Sequence, residues 1–313
     1  FIKDLDPQMN IALIILAAGK GTRMQSELPK VLHKVAGAPM LVHAMRAGRA
    51  LEPKRTIIVA GHGFEAVSAA AHTEDPDVEI AVQEAQLGTG HAVDQARDAL
   101  GDFDGTVLVL YGDCPLIQTR TLEELTATLN DSAVSVLGFE AKDPARYGRL
   151  ITDGDKLKRI VEFKDASPEE IAVTLCNSGV MAAPAHLLFD LLSEIDTDNA
   201  SGELYLTDVV GKAVARGLQC AVVRCAERET LGVNSRVELM QAEKEFQNLR
   251  RAEALEDGVS MPAPETVHFS YDTVIGRDTI VEQNVVFGPG VTVESGAQIR
   301  AFSHLEGAHV SRG

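Results

Sequence analysis

The 313 residues, 45% of them hydrophobic, supply a normal core for one large domain and a smaller one. A net charge of −17 argues against nucleic acid or an anionic membrane as partner, and it requires any anionic substrate to be held by local cations working against the overall field. Four cysteines (Cys114, Cys176, Cys220 and Cys225), none in C-x-x-C spacing, argue against a zinc site or a disulfide framework and fit a reducing, cytoplasmic setting.

The N-terminal FIKDLDPQ carries charges and no apolar core, so it is not a secretory signal. Met9 is a plausible native start, and residues 1–8 read as a cloning remnant or a disordered N-terminus. No apolar run reaches the roughly 18 residues of a membrane helix.

Ile11 to Leu16 is an apolar run with β-branched members, which predicts a buried strand. Gly19-Lys20-Gly21 follows, and then two cations, Arg23 and Lys30. A strand ending in a small-residue loop lets backbone N–H groups approach a phosphate. Arg23 offers a planar fork of donors and Lys30 a flexible point charge, which suits a polyphosphate. Neither G-x-x-x-x-G-K-[ST] nor G-x-G-x-x-G is present, and a bare G-x-G is equally an ordinary strand-to-helix turn.

Further strands are predicted at 56–60, 78–82, 106–111 and 133–139, with helices at 39–50, 63–71, 89–100 and 119–130. This alternation predicts an α/β fold, a mostly parallel sheet with helices on both faces and ligands beyond the carboxyl ends of the strands. Gln83 to His91, reading QEAQLGTGH, is a polar loop opening a helix, or a site for a flat base in which Gln83 both donates and accepts and Gly88 allows backbone approach. Asp113 ends the run Val107 to Tyr111; it is a turn or helix cap, or a Mg²⁺ ligand beside substrate phosphates. Beyond Glu140 shorter strands are predicted at 149–152, 159–164 and 173–182.

A long helix is predicted over 236–257, ended by Gly258 and Pro262. After Val274, Ile275, Val281, Phe287, Val293, Ile299 and Leu305 recur at every sixth residue, with Thr273, Thr279, Val285, Val291, Ala297 and Ser303 in a second register. A hexad of this kind predicts a β-solenoid, since a plain sheet would repeat at two.

The string L-A-A-G-x-G-T-R-M, followed by L-P-K-V-L-H, resembles the sugar-nucleotide pyrophosphorylases. Within them it is similar to the uridylyltransferase half of the bacterial enzymes that join uridylyl and acetyl transfer in one chain. Q-x-x-x-x-G-T-x-H-A, G-E-x-Y-x-T-D and G-V-N-x-R agree at separate places. The resemblance implies a Rossmann-like nucleotide-diphospho-sugar transferase domain (9–235), a linker helix (236–262) and the start of a left-handed parallel β-helix (263–313). It implies that UTP and N-acetylglucosamine-1-phosphate give UDP-N-acetylglucosamine and pyrophosphate, for peptidoglycan and lipopolysaccharide precursors.

Arg23 and Lys30 would then be catalytic, and Asp113 and Asn234 would hold Mg²⁺. Leu16, Ala17, Ala18, Gly19, Lys30, Gln83, Gly88, Thr89, Tyr111, Gly112, Asp113, Gly148, Glu162, Asn177, Tyr205 and Asn234 would bind substrate. Cys114, Cys176 and Ser178 depart mildly from the family's usual residues. The hexads break off at Gly313, which reads as a truncation without acetyltransferase activity and with a weakened or lost homotrimer. Two rivals remain: cytidylyl or uridylyl transfer to another sugar-1-phosphate, and a solenoid-based oligomerisation module.

Overall fold

The computed structural model describes residues 10–154 and 156–312; the expectation for residues 1–8 lies outside them. The chain divides into two compact units. The first runs through Leu32 and from Leu41 to Gly232; the second holds His33–Met40 with Val233 onward.

The first unit is built on one nine-stranded sheet. Its strands are β1 (Ile11–Ala17), β2 (Arg55–Ala60), β3 (Glu79–Val82), β4 (Thr106–Tyr111), β5 (Val134–Glu140), β6 (Arg149–Asp153), β7 (Lys156–Val161), β8 (Leu175–Pro184) and β9 (Cys220–Cys225). They lie in the order β3-β2-β1-β4-β8-β5-β9-β7-β6. Every residue of β1 is buried, as an inner strand covered on both faces requires. Its side chains alternate between two cores. Ile14 and Leu16 pack with Leu188, Val209 and Val210, whereas Leu13 and Ile15 pack with Leu41, Val67 and Leu122.

The sheet is mixed rather than mostly parallel. β3, β2, β1 and β4 run parallel to one another, and so do β5 and β9. β8 lies antiparallel between β4 and β5, and β7 is antiparallel to both β6 and β9. Apolar runs mark strands but carry no direction. The segment expected as one helix over 89–100 is two, Thr89–Asp94 and Arg97–Leu100, and helix 119–130 tightens to a 3₁₀ turn at Thr128–Asn130. The strand expected at 159–164 sits three residues earlier, because the chain turns after Val161 with the Asp165 N–H donating to the Glu162 carbonyl at 2.9 Å.

In the second unit a helix spans Arg236–Glu256, its first turn capped by the Ser235 hydroxyl accepting from the Glu238 N–H. Side chains of this helix fasten the 267–269 segment to it. Gln247 donates to the Phe269 carbonyl at 2.7 Å and accepts from the Phe269 N–H at 2.8 Å, and Arg251 donates to the Val267 carbonyl at 2.9 Å. Short strands then pair in parallel 18 residues apart, Val274 with Thr292, Ile280 with Gln298 and Val286 with His304. Three hexads therefore make one circuit. The corners are residues with left-handed backbone at the same period, Asp278, Asn284, Gly290, Gly296 and Phe302. The last circuit is one residue short: Thr292 pairs with His309, and the next corner is Gly307. The shift turns Val310 inward in place of the polar Ser311.

Candidate active site

The carboxyl ends of β1 and β4 are adjacent, since Leu16 is level with Tyr111 and the Gly112 N–H donates to the Leu16 carbonyl at 3.0 Å. Two loops of opposite charge leave from there. Gly19-Lys20-Gly21 leads from β1 into a 3₁₀ turn over Thr22–Met24, pinned by buried Met24 with Arg23 exposed. Gly21 has φ 61°, and a Cβ there would come within 2.5 Å of the Lys30 Cβ. Glycine is thus what lets the loop close onto the Lys30 stem. Asp113 leaves from β4, and its Oδ2 accepts from Lys30 Nζ in a close ion pair; the two side chains are 15% and 12% exposed. The other carboxylate oxygen, Oδ1, meets the Cys114 thiol at 3.7 Å. Burial pushes the Cys114 thiol well up, with Asp113 adding to it, so it is a neutral packing group.

The loop after β3 folds onto the first. Gln86 donates to the Ala18 carbonyl at 2.7 Å. Gln83 is buried, and its Nε2 lies 3.1 Å from the Gly88 carbonyl. Gly88, at φ 116°, sits so close to Leu204 that a Cβ would meet its carbonyl oxygen at 2.5 Å. The Gly90 N–H also bonds to Leu204, and the Leu206 N–H donates to Thr89 Oγ1 at 3.0 Å. Segment 83–90 is therefore tied to segment 204–206. Beside it, Lys20, Gly61, His62, Val82 and Gln83 line a cavity of about 420 Å³.

A second group lies across Tyr111. Gly179 lies within an irregularity of β8, where the register with β5 shifts between Asn177, still paired with Gly138, and Met181. A Cβ on Gly179 would reach 2.6 Å from the Tyr111 ring. Burial pushes the Tyr111 phenol upward, with Glu162 and Asp113 adding to the effect. Asn177 is buried; its Oδ1 accepts from the Gly179 N–H at 3.0 Å, and its own N–H donates to the Gly148 carbonyl at 2.8 Å. Glu162 stands past the end of β7, near Gly148, and accepts from the Thr207 hydroxyl at 3.1 Å. Burial raises its carboxyl above the usual range, Thr207 opposes this, and Asp208 adds to it. Arg146, Glu162, Phe163, Lys164, Ser201 and Tyr205 line a cavity of about 460 Å³.

Three contributors are not among the residues expected to bind substrate. Thr207 supports Glu162, Arg149 is buried and braces the 144–147 turn through backbone carbonyls, and His91 touches Gln83. His91 stands inside the G-T-x-H-A string, so its signal was present. Asn234 lies in the second unit, where its N–H donates to Glu238 at 2.6 Å.

Residues 13–199 match the family model described as a MobA-like NTP transferase domain. The chain is 62% identical over 305 residues to the bifunctional protein GlmU of Roseobacter denitrificans, covering 97% of this chain and 68% of that protein. It is equally 62% identical, over 303 residues, to the GlmU of Cereibacter sphaeroides, of which it spans 67%. Among solved structures, a UDP-glucose pyrophosphorylase complexed with UDP-glucose superposes with a TM-score of 0.62 at 18% identity, over 77% of this chain and 100% of that one. The inositol-1-phosphate CTP transferase from T. maritima does so with 0.59 at 17%, over 77% and 98%. These two support the nucleotide-diphospho-sugar transferase fold, and the closer sequence relatives place this chain, a nucleotidyltransferase, in the GlmU family.

Proposed function

We propose that this protein transfers a uridylyl group from UTP to N-acetylglucosamine-1-phosphate, giving UDP-N-acetylglucosamine and pyrophosphate. The observation that carries the reading is the Lys30–Asp113 pair where β1 and β4 end, flanked by a Gln83 cavity on one side and Glu162 with Asn177 on the other. Uracil belongs against Gln83 and Gly88, and the triphosphate along Leu16 to Gly19 with Thr89. The sugar belongs between Gly148, Glu162, Asn177 and Tyr205. With Oδ1 engaged by Gly179, Asn177 keeps its NH₂ to donate to an acetamido carbonyl. Glu162 accepts from sugar hydroxyls.

The nucleophile is a phosphate oxygen of the sugar-1-phosphate, already ionised, so no general base is needed. It attacks the α-phosphorus of UTP in line, a bond to oxygen forms and pyrophosphate departs with the electron pair. Lys30 holds the charge around the α-phosphate and Arg23 that of the departing pyrophosphate. Asp113 fits Mg²⁺ because it offers hard carboxylate oxygens at the phosphate end of the cleft, with Oδ1 making only the long thiol contact among the described residues. When bound, Mg²⁺ neutralises phosphate charge and orients the leaving group. The role of Asn234 as a further ligand rests on the resemblance.

In the second unit we read the 18-residue circuits as the start of a left-handed parallel β-helix, and the helix before them as the connection between a uridylyltransferase domain and that coil. A cytoplasmic setting belongs to the same reading. Among the described residues no helix is long and apolar enough to cross a membrane.

Asn177→Ala tests the sugar assignment. The KM for N-acetylglucosamine-1-phosphate should rise about tenfold or more, as for loss of a substrate hydrogen bond in a buried site, with the KM for UTP nearly unchanged. Steady-state kinetics varying each substrate in turn measures this. Equal changes in both would mean a general structural role.

A further inference from the structure

A carboxamide can present either its oxygen or its NH₂ to a ring, and in this site an imidazole decides which. The Gln83 Nε2 lies 3.1 Å from the Gly88 carbonyl and 3.0 Å from Nδ1 of His91. A carbonyl only accepts, so the Gly88 contact identifies that end of Gln83 as the NH₂. Its second hydrogen then points at His91 Nδ1, which must be unprotonated to receive it. The single N–H of a neutral imidazole therefore sits on Nε2, 3.2 Å from the Gln95 carboxamide. Gln95 meets that hydrogen with its oxygen when its amide is turned by half a rotation, giving up its 3.2 Å contact with the His91 carbonyl.

The reverse arrangement costs more, because Gln83 is buried, whereas Gln95 is only half-buried and can swing its oxygen away from the His91 carbonyl, which still accepts from the Gln95 backbone N–H at 3.3 Å. A proton on Nδ1 would face the Gln83 NH₂, and turning Gln83 to relieve this would set its oxygen against the Gly88 carbonyl. With both hydrogens engaged, the Gln83 oxygen is the group left without a protein partner among the described residues, in a side chain that lines the 420 Å³ cavity. Uracil has an N3–H to donate to that oxygen, whereas cytosine has a bare, accepting N3 and would meet oxygen with a lone pair.

We propose that His91 is a positioning residue for base choice: through its acceptor Nδ1 it holds Gln83 in the orientation that takes a uracil edge and turns away a cytosine edge. The inference rests on the uridylyltransferase reading. Its test is the ratio of kcat/KM for UTP to that for CTP, measured by pyrophosphate release with N-acetylglucosamine-1-phosphate. His91→Leu and His91→Gln both leave the Nδ1 position without an acceptor, and the ratio should fall roughly tenfold, the worth of one buried hydrogen bond. His91→Asn places an amide oxygen where Nδ1 stood and should keep most of the selectivity. If His91→Leu does not fold, the Gln and Asn variants still separate the outcomes. Equal loss of rate with both nucleotides, leaving the ratio unchanged, would reduce His91 to a structural role and overturn the inference. Failure of the unaltered protein to form a UDP-sugar would overturn the uridylyltransferase reading as well.

Discussion

Replacing Asp113 by asparagine is expected to lower kcat/KM by roughly 10² or more while the thermal midpoint stays near that of the unaltered protein. Asparagine has the shape of aspartate and keeps an oxygen that Lys30 can donate to, so the strand end remains packed. What is lost is the negative charge, and with it the hard anionic oxygen that the proposed Mg²⁺ site draws on. The deficit should be largest at limiting Mg²⁺ and shrink as the ion is raised. Kinetics across an Mg²⁺ titration, paired with a thermal melt, measures both parts. Near-normal turnover at limiting metal would remove Asp113 from the metal site.

Lys30→Ala should be at least as damaging, with a fall in kcat/KM of about 10² to 10³. Its side chain is only 12% exposed and its ammonium is the cation paired with Asp113, so alanine removes the charge stabilisation proposed for the α-phosphate and leaves the carboxylate without that partner. The stem matters too, because Gly21 closes onto it. Arginine should not restore full rate, since a planar fork does not replace a point charge beneath a folded loop. The double variant Lys30→Ala with Asp113→Asn should lose less than the product of the two single effects, because the second change removes the unpaired charge created by the first. Independent, multiplying effects would show that the ion pair is not a functional unit.

The sequence announced these two residues by different signals. β4 is a continuous apolar run because both faces of the sheet are covered, so Asp113 just past its end stands out, whereas Lys30 was legible through the L-P-K string beyond the glycine loop. The 83–91 loop was legible through its glycines and amides. Strand order was not. β8 is as apolar as its neighbours, yet it inserts antiparallel between β4 and β5, and that placement is what brings Gly179 against Tyr111. Glu162 reads as part of a strand because Lys164 continues an alternating pattern, whereas the turn closed by Asp165 ends the strand at Val161. The division of the chain had an equally hidden part: His33–Met40 joins the second unit, where Ala36 donates to Glu243 at 2.6 Å and accepts from the Ser270 hydroxyl at 3.1 Å, contacts that span more than 200 positions. The hexad period was plain, but its one-residue contraction at the end was not, because Ser311 falls on the regular beat and Val310 takes the inward place.

In the proposed reaction one cleft brings UTP and N-acetylglucosamine-1-phosphate together into a single product. The most direct measurement follows the protein with both substrates and Mg²⁺ by phosphorus NMR. The expected result is loss of the three UTP resonances and appearance of the paired diphosphate signals of UDP-N-acetylglucosamine with an equal amount of pyrophosphate, all abolished by a chelator. Unchanged UTP, or pyrophosphate released without a sugar nucleotide, would mean that the protein does not carry out this transfer.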